Sequence, residues 1–327
     1  MAEGQIVLST ANIERLGTEE DDFVLIRERM EDGIFVETYG GDDQIHDASG
    51  NSVIYSGEGD DDYRVLDAAE FHGGEAFFDG GAGQDRLDLS KVENSDENET
   101  DTRRSSDVLV DLERGTVGDK VLNRNDPTPR ETWNLQIISV ENVIGTDGTD
   151  IVSGSASANV LHGGSGADML KGRGGDDKLY GGDGRDRVFG GEGNDKVDGG
   201  EGRDKLFGQD GHDNLFGGDG RDKLYGGAGD DKLTDGKGTD NMFGGEGADR
   251  FVLVADGMID SIKDFDADAD VIDLREWGAA SLDSLHFRES GTGMGKLVIS
   301  HGDEVLTVSS RTEAITQADI TEDNLLI

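Results

Sequence analysis

Cysteine is absent from the sequence and proline occurs only twice. Without cysteine no disulfide braces the fold and no thiolate can hold a metal. Aromatic residues make up 6% and all hydrophobic residues 33%, too little for an ordinary globular core in a chain of 327 residues. No apolar run approaches the roughly 20 residues that cross a membrane. The opening MAEGQIVLST has no basic n-region and no long apolar centre, so no cleavable secretory signal is visible. Positive charge is scarce. Thirty Lys and Arg face 73 Asp and Glu, a net charge of −43, which argues against nucleic acid as a partner. A chain of this composition stays close to disorder unless something neutralises it.

Catalytic patterns are missing too. There is no HExxH zinc helix, nucleophile elbow or phosphate loop. The six histidines (His46, His72, His162, His212, His286 and His301) are scattered. The chain is therefore expected not to be an enzyme, with an unrecognised site in residues 1–144 as the alternative.

What is present is glycine, 52 residues of it, in strict period. Residues 145–252 divide into twelve nonapeptides in unbroken register, such as 172–180 (GRGGDDKLY), 181–189 (GGDGRDRVF) and 190–198 (GGEGNDKVD). Position six is Asp150, Asp168, Asp177, Asp186, Asp195, Asp204, Asp213, Asp222, Asp231, Asp240 and Asp249, with Asn159 the exception. Position eight is apolar in all twelve, from Val152 to Phe251. Glycines at positions two and four permit positive φ and close backbone approach, so a six-residue turn can aim carbonyls inward. The pairs are Gly164 and Gly166, Gly182 and Gly184, Gly191 and Gly193, Gly200 and Gly202, Gly218 and Gly220, and Gly227 and Gly229. Together with aspartate, a hard anionic ligand, these carbonyls make a set suited to Ca²⁺. The last three residues alternate polar, apolar, mixed, as in a very short strand with one side chain inside. A single unit cannot fold alone; stacked units share a core.

The nonapeptide GGxGxDxUx resembles the RTX (repeats-in-toxin) family. The resemblance implies an all-β fold, a parallel β-roll or β-helix solenoid with flanking β caps, in which two nonapeptides make one coil. It also implies that each ion sits between the loops of repeats i and i+2, up to about ten ions in the main roll, and that the protein is secreted to the extracellular space through a type I (ABC) apparatus. Position five supports the two-repeat coil independently. Arg185, Arg203 and Arg221 fall in every second repeat, with Asp176, Asn194, His212 and Asp230 between them.

Stacked aspartates would lie about 5 Å apart, the usual strand spacing. Two carboxylates at that distance repel by about 1 kcal/mol in water and more in a partly dehydrated loop. Cations between them reverse the sign, so calcium binding and folding are expected to be one event.

Outside the main roll, residues 1–37 read as an N-terminal β cap and 38–90 as a short degenerate roll. Asp43, Asp61 and Asp85 hold its ligand positions, while Ser52 replaces aspartate in the repeat between the first two. Residues 91–144 form spacer strands and a mobile loop (ENSDENETDTRRSSD), which makes the two rolls one continuous solenoid. Residues 253–327 form a C-terminal cap with a hairpin around His301–Asp303, and the terminus ITEDNLLI resembles type I secretion signals. Asp264, Asp266, Asp268 and Asp270 suggest an EF-hand, but Ala269 or Val271 stands where glycine is required, so an acidic β-edge is expected.

The outer face carries a second pattern. Arg187 and Phe189, Lys205 and Phe207, and Lys223 and Tyr225 alternate with Arg185, Arg203 and Arg221. Residues 145–252 hold 22 acidic and 13 basic residues, a net of −9, so ten bound Ca²⁺ would leave the roll near +11. A basic–aromatic ladder on a positive surface fits an acidic polysaccharide such as alginate, or a cell-surface glycan. The alternative is a solubilising face with cross-strand packing. Three function classes follow: a secreted calcium-binding protein serving surface or matrix attachment, a polysaccharide-binding module, and an enzyme in residues 1–144.

Overall fold

The computed structural model describes residues 5–8, 20–26, 34–48, 52–66, 76–92, 108–119, 134–290, 296–310 and 314–327. The expected mobile loop at 93–107 and the segment around Pro127 and Pro129 lie outside the described residues. The chain divides into two compact units, residues 1–170 and 171–327.

Each unit is a parallel β-solenoid. In the second, Lys178–Gly184 pairs in parallel with Lys196–Gly202, and Arg187–Glu192 with Lys205–Asp210. The register is Lys178 with Lys196 and Arg187 with Lys205, a coil of 18 residues that places alternate nonapeptides on opposite sheets. Sequence period sets this geometry directly. The lysine or arginine at position seven faces out, position eight faces in and position nine is half-buried, giving the burial pattern of strands such as Lys205–Asp210. Leu179, Val188, Val197, Leu206, Leu215, Leu224, Leu233, Met242 and Phe251 are all fully buried. Only two such side chains enter the core per coil, so the loops weigh heavily in the balance of stability.

The same sheets continue past the last nonapeptide. Val271–Asp273 pairs in parallel with Arg250–Val252, and Leu325–Leu326 pairs with Val271–Asp273. Ile259–Ile262 continues the opposite sheet, followed by Glu304–Val308. Lys296–His301 and Glu304–Val308 form the expected antiparallel hairpin, and Phe265, Ile272, Leu274, Leu297, Ile299 and Leu306 close the core.

In the first unit one sheet runs Gln5–Leu8, Phe23–Ile26, Gln44–Asp47, Asp62–Val65, Arg86–Asp88, Asn142–Ile144 and Val160–Gly166. The other is interrupted. Thr116–Asp119 lies antiparallel to both Val108–Asp111 and Asn134–Ile138, so the spacer enters the sheet as a reversed strand. Aromatic residues supply bulk here: Tyr63 stacks on Phe78 at 4.6 Å in the core, and both are fully buried. Among the described residues no helix is long and apolar enough to cross a membrane.

Candidate metal centre

The loops at the sheet edges bring the position-six aspartates into columns. In the second unit, the main-chain N–H of Asp177 donates to Oδ1 of Asp195 at 2.8 Å, Asp195 to Asp213 at 2.7 Å, Asp213 to Asp231 at 2.8 Å and Asp231 to Asp249 at 3.0 Å. On the other edge Asp186 donates to Asp204 at 2.8 Å, Asp204 to Asp222 at 2.8 Å and Asp222 to Asp240 at 2.6 Å. In the first unit Asp43 donates to Asp61 and Asp61 to Asp85, both at 2.9 Å, and Asp150 donates to Asp168 at 2.7 Å. Every step is one coil.

One oxygen of each carboxylate is thus used by the backbone. The second, Oδ2, is buried and has no partner in Asp85, Asp195, Asp204, Asp213, Asp222, Asp231 and Asp240. A buried anionic oxygen without a donor is costly, and a cation is the usual remedy. Burial raises the carboxyls accordingly: Asp204, Asp222 and Asp231 to about 7, and Asp213 and Asp240 to about 6. Hydrogen bonds from the backbone oppose that rise and neighbouring aspartates add to it.

Main-chain oxygens complete the donor set. The twelve glycines expected at positions two and four all have positive φ, between 94° and 151°. At Gly200 and Gly202 an added Cβ would lie 2.2 and 1.5 Å from the carbonyl oxygens of Gly182 and Gly184, one coil back. At these two positions the loops stack so tightly that a side chain would meet the backbone of the preceding coil, with carbonyl oxygens turned into the interloop space. Among the described residues no three His, Cys, Asp or Glu side chains alone form a metal-holding group. The side-chain part of the candidate set is carboxylate, the remainder is main-chain carbonyl, and both are the hard oxygens that suit Ca²⁺.

Some loops are built differently. Asp150 accepts the N–H of Val108 on Oδ1 at 2.8 Å and that of Thr146 on Oδ2 at 2.7 Å, with the Thr146 hydroxyl 3.0 Å from Oδ2. Asn159 accepts the N–H of Ser155 in the same way at 2.8 Å. In the first unit, Thr38 and Ser56 place hydroxyls beside Asp43 and Asp61.

The columns also extend beyond the nonapeptides. Asp240 donates to Oδ1 of Asp260 and Asp249 to Oδ1 of Asp270, both at 2.9 Å, and Asp85 donates to Oε2 of Glu141 at 3.0 Å. Asp260, Asp270 and Glu141 fall outside the repeat register because the offsets are 20, 21 and 56 residues instead of 18. Sequence reading misses Asp235, at position one where glycine is usual. It is fully buried, and burial followed by its aspartate neighbours pushes its carboxyl up to about 9.

On the outer face, Phe189, Phe207, Tyr225 and Phe243 stack at 4.8, 4.8 and 4.7 Å with planes within 11°. Each inner ring is covered on both faces by its neighbours, so the ladder is internal packing. Arg187, Lys205 and Lys223 are paired in register beside it and exposed, as are Arg185, Arg203 and Arg221 on the adjoining edge.

Columns of half-satisfied buried carboxylates at the turns of a parallel β-roll are the arrangement that a calcium-binding repeat would present. The model of a family described as RTX calcium-binding nonapeptide repeat (4 copies) matches residues 37–64, 144–179, 162–197, 180–215, 189–224 and 216–251. The chain carries RTX calcium-binding nonapeptide repeats, which lie on its parallel β-roll. A comparison with curated proteins found no match. Among solved structures, a hyperactive, Ca²⁺-dependent, β-helical antifreeze protein from an Antarctic bacterium is similar at 18% identity, over 79% of this chain and 74% of that one, with a TM-score of 0.29. The extracellular lipase LipA from Serratia marcescens is similar at 12% identity, over 98% of this chain and 41% of that one, with a TM-score of 0.20. At these values neither structure bears on what this chain binds.

Proposed function

We propose that the protein is a secreted calcium-binding β-roll that folds when it meets extracellular Ca²⁺ and serves attachment at a surface or in a matrix. The observation that carries the calcium step is the row of buried, partnerless Oδ2 atoms at Asp195, Asp204, Asp213, Asp222, Asp231 and Asp240. These carboxylates and the carbonyl oxygens of the position-two and position-four glycines would hold the ions. Calcium, when bound, would supply the positive charge that faces each partnerless carboxylate oxygen. Asp150 stands outside the proposed ligand set, because the N–H groups of Val108 and Thr146 already satisfy both oxygens. Secretion through a type I apparatus is the route that the calcium-binding repeats support.

Far-UV circular dichroism during a calcium titration at pH 7.5 tests the proposal. The expected result is a cooperative gain of β signal with a midpoint on the order of 10⁻⁴–10⁻³ M. The same β signal in excess chelator would end it.

A second proposed partner is an acidic polysaccharide. The exposed, in-register column Arg187, Lys205 and Lys223, joined by Arg185, Arg203 and Arg221, favours it. The mutual stacking of Phe189, Phe207 and Tyr225 means that recognition rests on charge, with sugar stacking closed off along the ladder. Calcium-dependent retention on an alginate column should weaken with salt and be lost in Arg203→Ala with Lys205→Ala. Retention equal to wild type in the folded double variant removes the polysaccharide.

A further inference from the structure

One nonapeptide of the twelve lacks glycine at position one. Residues 235–243 (DGKGTDNMF) begin with Asp235 instead. On the same edge an added Cβ at Gly181, Gly199 or Gly217 would lie 2.7, 2.9 or 3.2 Å from Oδ2 of the aspartate five residues on. Asp235 has a Cβ at that place, so its carboxylate is built beside the carboxylate of Asp240.

Both side chains are fully buried, and Oδ2 of each has no hydrogen-bond partner. Oδ1 of Asp235 accepts the N–H of Gly236 at 2.7 Å and of Val254 at 2.9 Å, the latter in the loop of the next coil. Oδ1 of Asp260, from that same next loop, accepts the N–H of Asp240 at 2.9 Å. From the coil before, the carbonyl oxygens of Gly218 and Gly220 point at this loop, 2.1 and 1.5 Å from where a Cβ on Gly236 or Gly238 would be. The Gly199 and Gly217 loops each present one partnerless carboxylate oxygen; the 235–240 loop presents two. Two buried anionic oxygens in one six-residue turn require a cation, or a proton, between them.

We propose that the 235–240 loop holds a divalent cation through the carboxylates of both Asp235 and Asp240, with main-chain carbonyls completing the shell, and that this ion pins the 254–260 loop onto the end of the roll. The proposal rests on the calcium reading above. Its extra negative charge makes this site bind more tightly than the one-carboxylate loops, so it fills first. Through Val254, Asp235 then ties a loaded loop to the start of the C-terminal cap.

Calcium bound per full-length chain, measured by equilibrium dialysis across the titration, tests it in wild type, Asp235→Asn and Asp235→Gly. The asparagine keeps an acceptor for Val254, while the glycine restores the residue found at position one in the other repeats of the main roll. Circular dichroism at saturating calcium verifies that both variants are folded. The expected result is loss of one ion from the tightest class, or at least tenfold weaker binding of it, with the remaining ions unchanged. Faster amide exchange at Val254 should accompany the loss in Asp235→Gly. If both variants bind as many ions with the same affinities, Asp235 shares a proton with Asp240 and the inference is overturned while the calcium reading stands. If wild type binds no calcium, both fall.

Discussion

The loop at residues 145–150 (GTDGTD) and the loop at residues 199–204 (GGEGRD) share glycine at positions one and four and aspartate at position six. They nevertheless satisfy that aspartate in different ways. In the first, Thr146 at position two turns its N–H and hydroxyl onto Oδ2 of Asp150. In the second, Gly200 at position two has a φ of +94°, no such hydrogen bond forms, and Oδ2 of Asp204 is left buried without a partner. Asp270 repeats the first solution, accepting the N–H of Asp266 on Oδ2 at 2.8 Å. A position-two residue outside the left-handed region, such as Thr146 or Asp266, thus closes the turn on itself, and one with positive φ, whether glycine or Gln209, leaves it open to an ion. Whether a GxxGxD turn needs calcium is set as much by position two as by the aspartate.

The largest expected consequence of open loops is their response to pH. Asp204, Asp222 and Asp231, raised to about 7, bind a proton more tightly folded than unfolded. Such a group stabilises the fold fully below its unfolded value near 3.8, and that contribution is lost as pH rises through 6 to 7. In chelator, the β signal should therefore be stronger at pH 5.5 than at pH 8. Protons compete with the ion for the same oxygens, so the calcium midpoint should move to higher concentration on acidification. Circular dichroism at the two pH values, with and without calcium, measures both. A chelated protein equally unfolded at both pH values would contradict the open-loop account.

Much of this was legible in the repeats. The columns at positions four, six and eight prescribe the coil, the buried aliphatics and the aspartate ladder before any coordinates. What the columns hide is how each aspartate is finished. Asp150 looks like the other ten in sequence, and Thr146 is the residue that distinguishes it. Asp260 and Asp270 stand at offsets of 20 and 21 residues, because the terminal loops are longer than a nonapeptide allows. Alternation along the strand places Phe207 outside, yet it does not disclose that adjacent rings lie 4.8 Å apart with planes 5° from parallel. That depends on coil stacking, a tertiary quantity.

A paired substitution sharpens the contrast between the two loops. Asp204→Asn keeps an oxygen for the N–H of Asp186 and removes a buried charge, so it should be tolerated or favourable in chelator and weaken calcium binding several-fold. Asp150→Asn sets an amide group against the N–H of Thr146, which loses its acceptor. The expected cost is about 1–3 kcal/mol, the same with and without calcium. Thermal unfolding of both variants in calcium and in chelator separates the outcomes. Equal calcium dependence in the two would show that position two does not decide the matter.

The smallest effect concerns an open loop that lacks its glycine. Gln209 sits in register with Gly191 and Gly227 and keeps the same left-handed conformation, with φ of +85° against +131° and +126°. A side chain held there costs about 1–2 kcal/mol for an L-residue. Gln209→Gly removes that strain but adds unfolded-chain freedom worth roughly 0.5–1 kcal/mol. The net gain should be about 0.5–1 kcal/mol, seen as a higher denaturant midpoint in saturating calcium. Since Gln209 is exposed, little packing is lost to obscure it. A decrease in stability would mean that the glutamine side chain contributes more to the coil than its backbone strain removes.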